Sequence, residues 1–204
     1  MDRKQIQEQR MKSYFIQAAK DMLKGEGLKS LSVRSVADRA GYSFATLYNY
    51  FKDLNELIFV CVKDFQEECL EIVTGKTKKI PDGKEKIKAT VMAYISYFLE
   101  YPGVFELFFL ERMGNIGNKQ ATSELIYTFL DRLCEEQWIY CLKENMVDSE
   151  KVSIQKAQLR FAVMGMLLFY ENRLQPESYP EFMKLANQQI DEIISTNDQN
   201  QAGK

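Results

Sequence analysis

Histidine is absent from the 204 residues. With it go the commonest general base, the commonest metal ligand and the side chain that usually titrates near neutrality. Glycine-rich phosphate loops and C-x-x-C pairs are missing as well. Cys61, Cys69, Cys134 and Cys141 fall into two pairs with spacings of eight and seven. On a helix those spacings hold the paired thiols about 10–12 Å from each other. Neither pair can clamp a zinc ion, which takes sulfur at about 2.3 Å. The thiols are expected as small buried hydrophobes, with a redox sensor as the alternative. No enzyme, metal centre or cofactor is expected on this inventory. Proline is scarce, with none before Pro81. No window approaches the roughly 18 uninterrupted apolar residues of a membrane span. The opening Met1-Asp2-Arg3-Lys4-Gln5-Ile6-Gln7-Glu8 has no apolar stretch behind it. It reads as a chain without a signal peptide, and therefore cytoplasmic.

What is present is helical patterning. Apolar residues recur with a 3.6-residue period over long stretches and almost never alternate, so the expected class is all-α, with about nine helices. Met11, Tyr14, Phe15, Ala18, Ala19, Met22 and Leu23 mark the first, ended by Gly25 and Gly27. Short helices follow over 33–40 and 44–51, with Ser32 and Ser43 as N-caps and Gly41 between them. A fourth runs from Leu54, behind Asp53 and Glu56, to about Thr74. Others are expected over 83–100, from Pro102, over 119–145 and 150–174, and from Ser178 to Ser195. Residues 114–118 read as a loop, and 197–204 as a polar, disordered tail.

Charge is unevenly placed. Residues 1–52 hold ten Lys/Arg and five Asp/Glu, a net of +5 against −2 for the whole chain. A basic head on an acidic body suggests that the head meets a polyanion. Within that head, residues 32–52 form two short helices joined by a turn holding Gly41, the arrangement of a helix-turn-helix. Val33, Val36, Ala37 and Ala40 supply an inner face, and Leu47 and Phe51 anchor the second helix. Phe44, Ala45, Thr46, Tyr48, Asn49 and Tyr50 remain outward. A helix of this width fits the major groove of DNA. Ser43 and Thr46 can donate to phosphates or bases, Asn49 can pair with adenine, and the hydroxyls of Tyr48 and Tyr50 can reach phosphates. Arg34 and Lys52 flank this face, and Arg3, Lys4, Arg10 and Lys12 can reach the backbone. A short helix pair can also be mere packing. Here no acidic residue occurs between Asp38 and Asp53, whereas an ordinary solvated face would carry some.

The run Leu31-Ser32-Val33-Arg34-Ser35-Val36-Ala37-Asp38-Arg39-Ala40-Gly41-Tyr42-Ser43-Phe44-Ala45-Thr46-Leu47-Tyr48-Asn49-Tyr50-Phe51 strongly resembles the DNA-binding domain of the TetR family of bacterial repressors. The likeness spans about residues 10–60 and includes the Thr-Leu-Tyr-x-x-Phe core. Pro102 to Phe108 looks similar to a stretch opening the sixth helix in many members. The resemblance implies an N-terminal three-helix DNA-binding domain over 1–52 and a helical effector-binding and dimerisation domain over 53–196. It implies DNA contacts at Ser32, Arg34, Ser43, Thr46, Tyr48 and Tyr50. One position departs: Leu54 stands where the family usually places a phosphate-gripping lysine, with Lys52 two residues earlier.

The same resemblance places an effector cavity among the fifth to eighth helices. Its candidate lining is Tyr94, Tyr97, Phe98, Phe108, Met113, Trp138, Phe161 and Met164, which suits an apolar or aromatic ligand. A plain aromatic core, filled by its own side chains, is the other reading. The last two helices are expected to dimerise through Ala162, Gly165, Met166, Phe169 and Tyr170 on one and Phe182, Leu185, Ala186, Ile190, Ile193 and Ile194 on the other. An intramolecular hairpin would show the same stripes. The function expected is a homodimeric repressor released from operator DNA by a small molecule. The alternatives are a ligand-independent regulator or activator, and a helix-turn-helix protein-interaction scaffold.

Overall fold

A computed structural model describes residues 2–110, 119–173 and 175–195. These are helical throughout, with no strand among the described residues. The helices are α1 (Arg3–Glu26), α2 (Val33–Ala40), α3 (Phe44–Tyr48), α4 (Leu54–Thr77), α5 (Lys84–Glu100), α6 (Pro102–Phe105), α7 (Lys119–Tyr127), α8 (Phe129–Lys143), α9 (Val152–Glu171) and α10 (Tyr179–Ser195). Two compact units emerge, Met1–Glu68 with Tyr101–Tyr127, and Cys69–Glu100 with Thr128–Lys204.

In the first unit, α1 buries Phe15, Ala18, Ala19, Met22 and Leu23, the stripe its spacing predicts. Gly27 ends the helix at φ +74°, whereas Gly25 lies inside it. A single glycine costs a helix only about 1 kcal/mol, so it need not stop one. Gly75 inside α4 repeats the point, and α4 continues to Thr77. Pro102 opens α6 as expected, and a wider π-type turn over Glu106–Leu110 continues it. Backbone meets backbone where α6 crosses the end of α1. A Cβ on Gly103 would stand 2.0 Å from the Leu23 carbonyl oxygen.

In the second unit, α5 packs against α8, α9 and α10. Tyr94, Phe98, Trp138, Leu159, Val163, Leu167, Phe182 and Ile190 are buried in it. Gln137 of α8 closes the start of α5, accepting the Gly83 N–H at 2.9 Å and donating to Asp82 at 3.0 Å. The helix expected over 119–145 is divided at Thr128 into α7 and α8. Among the described residues there are therefore ten α-helices where about nine were expected. At the end of α8, Asn145 takes the left-handed conformation at φ +54°, and the Met146 N–H closes on the Cys141 carbonyl at 2.8 Å. The expected loop at 114–118 and tail at 197–204 lie outside the described residues. None of the described helices is long and apolar enough to cross a membrane.

Candidate nucleic-acid interface

The α2–α3 pair is built by local chemistry. Ser32 caps α2, its Oγ accepting the Ser35 N–H at 3.0 Å. Ser35 returns the bond, its Oγ accepting the Ser32 N–H at 2.9 Å. Gly41 then turns the chain at φ +78°, ψ 26°, a left-handed geometry that suits glycine. Ser43 caps α3, accepting the Thr46 N–H at 3.2 Å. Leu47 and Phe51 are buried and hold α3 down. The helix closes at Tyr48 rather than at Phe51. The reason lies just beyond, where Asp53 accepts the Glu56 N–H and the Glu56 carboxylate accepts the Lys52 N–H at 2.7 Å. These bonds start α4 at Leu54 and leave residues 49–52 to turn.

Most of the expected outward set is exposed, but the Tyr50 ring packs on the buried Phe15, 6.1 Å between centroids. Phe44 is 51% and Tyr48 52% exposed, large values for rings on a short helix. Ser32, Arg34, Ser43, Ala45, Asn49 and Lys52 are exposed, and Thr46 and Tyr50 are partly so. Spacing did not reveal that the Arg34 guanidinium sits over the Phe44 ring, 5.9 Å from its centroid. Nor did it reveal the support beneath the turn, where Tyr42 packs on Phe15 at 5.6 Å and stacks on Tyr14 at 6.0 Å. Only the aromatic character of positions 14, 15 and 42 hinted at this.

Several cations of the head are internally paired. Lys12 meets Glu8, Arg39 meets Glu26, and Lys20 and Lys24 both meet Glu68 of α4. Arg3, Lys4, Arg10, Lys29, Arg34 and Lys52 make no ion pair among the described residues. The exposed face of α3 is thus acid-free and lies in a head with uncommitted positive charge. A phosphate backbone requires that combination.

The candidate effector residues are less united. Tyr94, Tyr97, Phe98 and Trp138 are buried together in the second unit. There Tyr94 packs on Phe98 at 4.8 Å and on Phe129 at 5.7 Å. Phe108 belongs to the first unit, against Phe109. Met164 is partly buried, and Met113 lies outside the described residues. Phe161, expected in the lining, is 66% exposed. One described cleft, of about 370 Å³, is lined by Lys76, Ser96, Leu99, Glu100, Tyr170 and Tyr179. A further described cleft, of about 360 Å³, is lined by Phe59, Lys63, Glu124 and Leu125. Neither includes the expected lining residues.

The stripes expected to form a dimer face divide between interior and surface. Phe182, Ala186, Ile190 and Ile194 are buried within the protomer, because α10 turns that stripe onto α5 and α9. They face the protomer's own interior, as the intramolecular-hairpin alternative has it. Ala162, Gly165, Met166, Tyr170 and Ile193 are partly buried, and Phe169 and Leu185 are exposed. All four cysteines are free and buried. Burial raises the Cys61 and Cys134 thiols to about 12, so both stay protonated at neutral pH. That fits small hydrophobes rather than redox sensors.

Residues 15–60 match the family model of the bacterial regulatory proteins, tetR family. The whole structure is similar to that of the transcriptional regulator FadR from Bacillus subtilis in complex with stearoyl-CoA. The TM-score is 0.71 at 15% identity, over 90% of this chain and 97% of that one. It is similar to the fatty acid degradation regulator FadR from Bacillus halodurans, with a TM-score of 0.71 at 12% identity over 92% and 96% of the two chains. It is also similar to AibR in complex with isovaleryl coenzyme A and operator DNA, with a TM-score of 0.63 at 14% identity over 91% and 98%. At these identities the structural likeness is one of fold, and it runs almost end to end. The head is thus matched by the tetR family's own model, and the full length shares its fold with structures described as TetR-family transcription regulators.

Proposed function

We propose that the protein is a sequence-specific, homodimeric repressor that leaves its operator when a small apolar molecule binds its body. The observation that carries the reading is the acid-free outward face of α3, with Arg34 and Lys52 uncommitted beside it. DNA contacts run through Ser32, Arg34, Ser43, Phe44, Ala45, Thr46, Tyr48, Asn49, Tyr50 and Lys52, from a head comprising residues 1–52. The remainder, 53–196, is the effector-binding and dimerising region, working in the cytoplasm. Two proteins of similar fold occur in complex with stearoyl-CoA and isovaleryl coenzyme A, which supports an effector with an apolar acyl portion. Tyr94, Tyr97, Phe98 and Trp138, buried in the second unit, are the side chains that would have to part to admit it.

Dimerisation uses the outward face of α9. Ile154 is 58% exposed, and Phe161 and Leu168 follow it at intervals of seven. Residues seven apart share one helix face. Gly165 lies between the last two, and a Cβ there would meet nothing within 4 Å. A mid-helix glycine with open space above it suits close approach of a second helix. Two heads held about 34–36 Å apart would then enter successive major grooves. The effector acts by binding the DNA-competent and released states with different affinities, with α4, which begins directly after the head, as the moving element.

The test is binding of the full chain to duplex DNA from upstream of its own gene and to a random-sequence duplex pool, across a salt series. Tight binding that weakens steeply with salt, and falls roughly tenfold or more in Tyr48→Ala, is the expected result. Failure to bind any duplex at low salt would turn the helix-turn-helix into a protein-docking surface. Salt-sensitive binding that no acyl-CoA or apolar ligand relieves would leave a ligand-independent regulator.

A further inference from the structure

We propose that each operator half-site is read through thymine, with Phe44 and Ala45 packed on C5-methyl groups in the major groove and Asn49 on the adenine edge. This rests on the reading of α2–α3 as the DNA-reading element.

Charge is missing from the whole of α3 and its flanks. Residues 40–51 hold no Arg, Lys, Asp or Glu. Guanine is most often read by Arg or Lys on O6 and N7, and cytosine by Glu or Asp on N4. The helix carries neither partner. What it presents is apolar or amide. Phe44, its first residue, is half exposed although Leu47 and Phe51 already anchor the helix. Ala45 beside it is exposed too. Phe and Ala are side chains that pack on the thymine methyl, a group no other base displays in that groove.

The neighbouring hydroxyls are partly spoken for. Ser43 and Thr46 bond each other at 2.9 Å, and Ser43 also accepts the Thr46 N–H at 3.2 Å. Asn49 is exposed, and its side-chain amide has no hydrogen-bond partner among the described residues. It stands four residues after Ala45 and so on the same face. An amide there matches the donor–acceptor pair of adenine. Methyl and amide readers side by side both point to A·T pairs.

Arg34 orients the reader. Its guanidinium lies 5.9 Å from the Phe44 ring centroid, so the ring is supported from α2 before DNA arrives. The uncommitted cations of the head identify the occupant as a polyanion rather than an apolar protein surface.

The experiment uses the full chain and a duplex selected by it from a random-sequence pool. That duplex is resynthesised with deoxyuridine for every thymidine, which removes only the C5-methyl groups. Wild type is expected to lose roughly tenfold in affinity on the uracil duplex, with an unchanged salt slope. Phe44→Ala should bind the thymine duplex more weakly and distinguish the two duplexes far less. Its thermal midpoint checks folding, and Phe44→Leu, which keeps an apolar contact, should retain some of the discrimination. Equal binding of both duplexes by wild type, with steep salt dependence intact, overturns the thymine reading and leaves the regulator reading standing. Full discrimination retained by Phe44→Ala overturns the assignment to Phe44. No salt-dependent binding to any duplex overturns both readings.

Discussion

Glu68 shows how much rests on single side chains away from the recognition face. It takes Lys24 at 2.5 Å and Lys20 at 3.4 Å. Lys24 also lies 4.1 Å over the Tyr101 ring, and Lys20 5.3 Å over Phe65. Partial burial pushes the Glu68 carboxyl up, but the two ammonium groups outweigh it and hold the group below its ordinary 4.5. A carboxyl depressed in the folded state adds stability above its ordinary pKa, and that contribution is lost as pH falls through the folded value. Glu68→Gln is therefore expected to lower the thermal midpoint at pH 7. The difference from wild type should shrink as pH is taken well below 4.5. A pH-independent difference in thermal melts would show that the charge is not the cause. No motif announces this cluster. Lys20 and Lys24 share a face of α1, but only folding brings Glu68 to them.

At the level of elements, local signals could be read from the chain and long-range ones could not. Ser32, Gly41 and Ser43 set the bounds of α2 and the start of α3 because each acts within four residues of itself. The end of α3 and the break at Thr128 escaped, since continuing apolar periodicity does not show where a helix is interrupted. The packing of α6 on α1 was equally hidden. Gly103 follows Pro102 and reads as a helix start, yet its missing side chain is what admits the Leu23 carbonyl. Gly103→Ala should destabilise the protein by about 1–3 kcal/mol, the usual cost of overpacking. For a chain of this size that is roughly 2–4 °C per kcal/mol in a thermal melt. An unchanged midpoint would mean that α6 can shift freely off α1.

For the whole molecule, the proposed homodimer turns on which face joins the two copies. The outward α9 stripe of Ile154, Phe161 and Leu168 gives a direct handle, because none of the three is needed in the protomer's interior. Phe161→Glu is expected to turn a dimer into a monomer in sedimentation or light scattering while leaving the helical circular dichroism intact. Operator affinity should fall with it, since two half-sites would no longer be bound by one linked particle. A Phe161→Glu protein that remains fully dimeric would move the interface to another face.

Residue order alone was enough to establish the all-helical class, the helix-turn-helix with its caps and turn, and which side chains of α3 face outward. These depend on capping, on a left-handed turn and on which of a few short-range positions are apolar. Which apolar stripes become interior was settled only by three-dimensional packing. Phe182, Ala186, Ile190 and Ile194 read as an interface and are core, whereas Phe161 read as a cavity wall and is surface. Periodicity reports that a helix has an apolar side, but the partner that covers that side is set by where the chain returns in space.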